Sequence, residues 1–182
     1  RYKGNQAHAE YLEQMAGKFF DLLQKYHGLG ERERLLLRLA AILHDCGKFI
    51  SMSAPGECAY QIIMSTEILG ISHMEREMVA CIVRYNTMEL PNFREFDGKL
   101  GNDEYLIVMK LAAILRVCNA LDRSHRQKFA DMKLTIKDSN IVITTAYPDN
   151  ITLEKKTLKD KQDFFEEVYG LGFEIKQKKK KQ

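Results

Sequence analysis

The stretch LLLRLAAILHDCGK, Leu35 to Lys48, decides how the rest of the chain is read. It opens as an apolar helical run and ends on His44 and Asp45, before Gly47 permits a turn. Glu31 and Glu33 suit the positive end of a helix, so a helix is predicted over 31–45. Leu35, Leu36, Leu39, Ala40, Ile42 and Leu43 cover so much of its circumference that burial on most sides is expected. A histidine and a carboxylate side by side at the end of a buried helix are costly unless paired or metal-bound. The stretch therefore points to a helical core and asks which other residues complete a ligand shell.

Working outward, Tyr11, Leu12, Met15, Phe19, Leu22 and Leu23 predict a helix over 6–27, stopped by Gly28 and Gly30. His8 lies on its apolar face, where a histidine taken alone is more often a satisfied packing residue than a ligand. Downstream, 51–56 reads as a loop, 58–68 as a helix ended by Gly70, and 73–85 as a helix with Ser72 and Glu75 in capping-box spacing. A polar loop spans 88–101. Helical periodicity returns over 103–121 and stops at Asp122, followed by the basic cluster Arg123-Ser124-His125-Arg126. After Asp131 the period changes to alternation. Met132, Leu134 and Ile136, a turn at Asp138-Ser139-Asn140, and Ile141, Ile143 and Thr145 predict a β-hairpin. An amphipathic helix over 152–169 and a third short strand at 173–175 complete a small α/β unit. The fold class is mainly α: a helical domain over 1–130, a small α/β domain over 131–177 and a basic tail over 178–182.

The 182 residues, 45% of them hydrophobic, suffice for one domain or one with an appendage. No apolar run approaches the ~20 residues of a membrane span, since Arg38 interrupts the best candidate. No leader segment is visible, and the start at Arg1 suggests a piece of a longer protein. Cys46, Cys58, Cys81 and Cys118 form no C-x-x-C pair, which fits free thiols in a reducing, cytoplasmic compartment. Lys176 and Lys178 to Lys181 carry five positive charges; without them the formal charge of +3 becomes −2. Such a tail reads as a solvated end, with a polyanion-binding arm as the minority reading.

His8, the His44-Asp45 pair and Asp122 supply two imidazoles and two carboxylates from three distant segments. A mixed nitrogen and oxygen set suits Mn²⁺, Fe²⁺, Zn²⁺ or Ni²⁺ more than Ca²⁺, with Mg²⁺ the remaining hard-cation candidate. The order H … HD … D across a helical chain resembles the HD-domain metal-dependent phosphohydrolases. On that resemblance His8, His44, Asp45 and Asp122 take the four ligand positions. A longer likeness covers almost the whole chain. HGLGERER (27–34), LAAILHDCGKFIS (39–51), ILG (68–70), ALDRSHRQKF (120–129) and the helix LEKKTLKDKQDFFEEVYG resemble the C-terminal half of the exopolyphosphatase / guanosine pentaphosphate phosphatase (Ppx/GppA) family. The resemblance implies an HD-like bundle followed by a small α/β domain. It also implies that the family's actin-like catalytic domains lie outside this chain, because no glycine-rich phosphate loop resembles theirs. Cys58 and Asn86 stand where the family often carries histidines, so a two-metal site is not expected.

Three functional readings follow. In the first, the chain is a module that binds polyphosphate or a phosphorylated nucleotide and serves its own N-terminal actin-like domains, with a homodimer as a further assembly. Lys48, Arg84, Arg116, Arg123, His125 and Arg126 are the candidate phosphate contacts, against the plainer role of Arg123 and Arg126 in capping a helix end. In the second, the module is itself a metal-dependent phosphohydrolase, with Asp45 orienting the nucleophile and Lys48 holding the phosphate. In the third, the bundle is an assembly surface and His44-Asp45 a hydrogen-bonded relic.

Overall fold

The structure, a computed structural model, describes residues 6–96 and 100–178. The predicted tail at 178–182 lies outside these residues except for Lys178, as do positions 97–99 of the polar loop.

The predicted helix 6–27 is two helices, α1 (Gln6–Leu22) and α2 (Gln24–His27). At Leu23 (φ −90°, ψ 6°) the last turn tightens, and the Leu23 amide bonds the carbonyls of both Phe19 and Phe20. His27 is buried and closes this corner: Nε2 donates to the Phe20 carbonyl at 2.9 Å, and Nδ1 accepts from the Leu29 amide at 2.9 Å. It is a satisfied packing histidine.

α3 (Glu31–Leu43) is less buried than its composition predicts. Leu36, Leu37, Ala40 and Ala41 face the core, whereas Ile42 is 47% exposed. Its outer face is occupied by Arg34 paired with Asp21 and Arg38 paired with Glu13. The central element is instead α6 (Asn102–Leu121), which buries eleven of its twenty residues and packs against α1, α3, α5 and α7. α4 (Pro55–Met64) starts earlier than predicted because Pro55 is well suited to a first helical turn.

α5 (His73–Thr87) begins with the predicted capping box: the Ser72 hydroxyl accepts from the Glu75 amide, and the Glu75 carboxylate accepts from the Ser72 amide. Arg32 at the start of α3 donates twice to the same carboxylate and once to the Gly70 carbonyl, binding two helix starts to one loop. The Arg32 guanidinium, followed by the Ser72 amide, lowers the Glu75 carboxyl from 4.5 to about 2. A folded-state value below the unfolded one gives stability that is complete above about pH 4.5 and is lost as the pH falls toward 2. Glu75→Gln is therefore expected to cost ~1 kcal/mol at neutral pH and to flatten this part of the acid limb. Urea melts of both proteins between pH 2 and 7 check it; parallel curves would sink the assignment.

β1 (Lys133–Lys137) and β2 (Asn140–Thr145) form the predicted hairpin, joined by Asp138 and Ser139, both at positive φ, as a two-residue type I′ connection requires. α7 (Thr152–Tyr169) then crosses back, and β3 (Gly172–Gln177) pairs parallel to β2, giving the order β1-β2-β3. One hydrophobic cluster runs from Phe19 and Leu111 through Ile141, Ile143 and Phe165, so bundle and sheet share a core. Among the described residues no helix is long and apolar enough to cross a membrane.

Candidate metal centre

α1 delivers His8 to the centre, and the end of α3 delivers His44 as its C-cap. The chain then folds into a short 3₁₀ turn (Cys46–Phe49) with Asp45 at its start, so His44 and Asp45 leave the helix in different backbone states. Gly47 makes this possible through close approach rather than an unusual φ. A Cβ there would lie 1.9 Å from the Pro55 carbonyl oxygen and 2.6 Å from the Ala59 nitrogen, both backbone atoms of α4. Gly47→Ala must therefore push the turn off α4 and is expected to cost ~3 kcal/mol or more, displacing Asp45 as it does. Thermal unfolding checks this; a melting temperature within a degree or two of the parent would contradict it.

His8, His44 and Asp45 each offer one donor atom, and the three atoms lie within 4.8 Å of one another. The two imidazoles meet edge-on with centroids 5.0 Å apart. His44 Nδ1 donates to the Ala41 carbonyl at 2.7 Å, which leaves the lone pair on Nε2. That Nε2 is buried and lies 3.2 Å from Asp45 Oδ1, without a well-directed hydrogen bond. His8 Nδ1 donates to Asp122 Oδ2 at 2.6 Å, which fixes the His8 ring in the same tautomer. A ring nitrogen held by a carbonyl or carboxylate while the other faces a cation is the usual arrangement of metal-bound histidine. The donor set thus fits a divalent transition ion.

Asp122 stands apart from the other three. Its second oxygen, Oδ1, accepts from the Gln127 amide at 2.8 Å, so both oxygens are engaged, and it is buried at the C-cap of α6. The structure brings it to His8 and not into the three-donor group.

Burial alone would raise the Asp45 carboxyl, but His44 in its charged, proton-donating form and the Lys48 ammonium hold it well below the usual carboxylate range; when Nε2 of His44 carries the lone pair, Lys48 is the cation that remains beside it. Lys48 Nζ lies 2.7 Å from Asp45 Oδ1 while its side chain stays 34% exposed, so one cation faces both the carboxylate and solvent.

His125 stacks flat on His8, with centroids 3.7 Å apart and planes 11° from parallel. Burial and the neighbouring His8 hold its pKa below the ordinary histidine value. It reaches that position in a left-handed conformation (φ 54°), as does Gln127 (φ 51°), whose side chain donates to the Ala7 carbonyl. Two non-glycine residues in this region within one loop mark a conformation that its surroundings impose. The sequence offered His125 as part of a basic cluster and as a candidate phosphate contact, and no spacing pointed to the stack.

The predicted arginines do not form one group. Arg84 pairs with Glu57 at 2.8 Å and lies over the rings of Tyr60 and Tyr85. Arg116 donates to the Tyr85 and Met88 carbonyls and covers the Phe164 ring, pinning the end of α5. Arg123 shares a cleft with Arg116, whereas Arg126 is exposed. Cys58 is a half-buried free thiol on α4, and Asn86 is buried on α5.

A second buried ion pair went unread in the sequence. Glu154 in the first turn of α7 is fully buried and accepts from Lys128 Nζ at 2.9 Å and from the Ser124 hydroxyl. Lys128 Nζ also donates to the Asn150 carbonyl. Burial pushes the Glu154 carboxyl up, yet Ser124 and Lys128 outweigh it, so the net shift is down. The loop carrying His125 is thereby bolted to the small α/β unit.

A family model described as Ppx/GppA phosphatase, domain III, matches residues 1–163. No curated protein matches the chain.

Proposed function

Since this chain belongs to the Ppx/GppA phosphatase family, of which it carries domain III, we propose that it is a metal-holding, phosphate-binding module of an exopolyphosphatase-like protein. The observation that carries the metal reading is the meeting of His8, His44 and Asp45 donors within 4.8 Å, each histidine held in the matching tautomer. These three residues would hold the ion, and Asp122 would orient His8. A divalent ion bound there supplies Lewis acidity and a bound water of lowered pKa. Asp45 stays ionised through the neutral range, and Lys48 presents an ammonium to an arriving phosphate oxygen. His125 covers one face of His8 and keeps bulk water from it.

On this reading the ligand is polyphosphate or a phosphorylated nucleotide, and the family's actin-like domains perform the main hydrolysis elsewhere in the parent protein. The contact between Asp45 and Lys48 favours a second reading, in which the module hydrolyses a phosphate ester at its own ion. Equilibrium dialysis against Mn²⁺ and Zn²⁺, followed by calorimetric titration with tripolyphosphate, tests both. About one retained ion per chain and tripolyphosphate binding are expected. A chain that retains no ion loses the metal reading. Metal-dependent phosphate release would favour the second reading over the first.

A further inference from the structure

A cleft of about 360 Å³, containing none of the metal-centre residues, lies between the end of α5, α6 and α7. Asn86, Arg116, Asn119, Arg123, Asp160 and Lys161 line it. Asn86 is only 4% exposed, yet neither its Oδ1 nor its Nδ2 has a hydrogen-bond partner within the chain. An unsatisfied buried amide is costly, and such groups are rare in native folds. Three cations against one carboxylate leave the cleft positive. Arg116 is committed to carbonyls, but Arg123 and Lys161 are exposed and make no ion pair among the described residues.

The two halves of the amide ask for different things. Nδ2 donates and Oδ1 accepts. A polyphosphate chain offers acceptors along its length, and its internal phosphates carry no donor. It would satisfy Nδ2 and leave Oδ1 stranded. A phosphate joined to a hydroxyl- or N–H-bearing body satisfies both. We propose that this cleft binds an organic phosphate ester, its phosphoryl group on Arg123 and Lys161 and its neutral polar edge on Asn86. The inference rests on the phosphate-binding reading above and is independent of the metal centre. The volume falls within the range of small-molecule sites and suits a mononucleotide or sugar phosphate.

Calorimetric titration of the full chain with adenosine 5′-monophosphate, ribose 5-phosphate and tripolyphosphate, at one fixed salt concentration, tests it. The two esters are expected to bind more tightly than tripolyphosphate despite their lower charge. The double variant Arg123→Gln, Lys161→Gln, at two exposed positions, should weaken the esters about tenfold or more. Asn86→Leu should melt no lower than the parent and lose the preference for esters over tripolyphosphate. Unchanged ester affinity in the double variant overturns the proposal. Tripolyphosphate binding without ester binding also overturns it and leaves the phosphate-binding reading standing. If no probe binds, both fall, and Asn86 is satisfied by water alone.

Discussion

Asp45→Ala is expected to abolish retention of a divalent ion, whereas Asp122→Asn is expected to weaken it by about 10- to 100-fold. The difference follows from where the two carboxylates sit. Asp45 is one of three donors within 4.8 Å and stays ionised beside Lys48, so its removal deletes both a ligand and the partner of that ammonium. Asp122 has both oxygens spent, one on His8 Nδ1 and one on the Gln127 amide. Its amide counterpart keeps the shape but loses the charge that favours the Nδ1–H tautomer of His8. Elemental analysis beside dialysis with Mn²⁺ separates the outcomes, with melting temperatures as the folding control. Equal and complete loss in both variants would make Asp122 a ligand. Full retention in Asp45→Ala would remove the metal centre altogether.

The second large effect concerns the ion pair beneath the small α/β unit. Glu154→Ala is expected to destabilise the chain by ~3–5 kcal/mol, because it leaves the Lys128 ammonium buried without its carboxylate. The Ser124 hydroxyl loses its acceptor at the same time, and α7 loses a negative charge in its first turn. The loop from Asp122 to Lys128 is thereby released at its far end, so metal affinity should fall with stability. The double variant Lys128→Met, Glu154→Leu should recover most of the loss, since a packed apolar pair escapes the desolvation penalty. Denaturant melts of the parent and the two variants decide it. A loss below ~1 kcal/mol in Glu154→Ala would mean that water reaches Lys128.

Much of this was legible from residue order. Apolar spacing located every helix of more than one turn, the change of period at Asp131 marked the hairpin, and the Ser72/Glu75 spacing marked a true capping box. A histidine and an acid ending an apolar helix pointed to His44 and Asp45, and the resemblance carried by the order H … HD … D added His8 and Asp122. What stayed hidden depends on the third dimension. Composition cannot say which of several apolar helices lies at the centre, so α3 looked more buried than α6. Gly47 reads as a turn residue, yet its need comes from backbone atoms of α4 eight and twelve positions further along. Arg123 and Arg126 lie in the loop after α6 rather than on a helix, so residue order could not say that Arg123, and not Arg126, lines a cleft with Arg116. Lys128 and Glu154 look like ordinary surface charges until the loop and α7 close over them.

The parallel pairing of β2 with β3 also sets an order of assembly. The hairpin closes across two residues, and the helices are local, so both form with little loop-closure cost. Asn140 meets Gly172 and Thr145 meets Gln177 only after the whole of α7 has been made and laid across the core. Until then β2 keeps one row of backbone donors and acceptors open, beside the apolar Ile141, Val142 and Ile143. The third of the described strands is thus the one that covers the open edge of β2, and the interval before its arrival is when a neighbouring nascent chain could take its place.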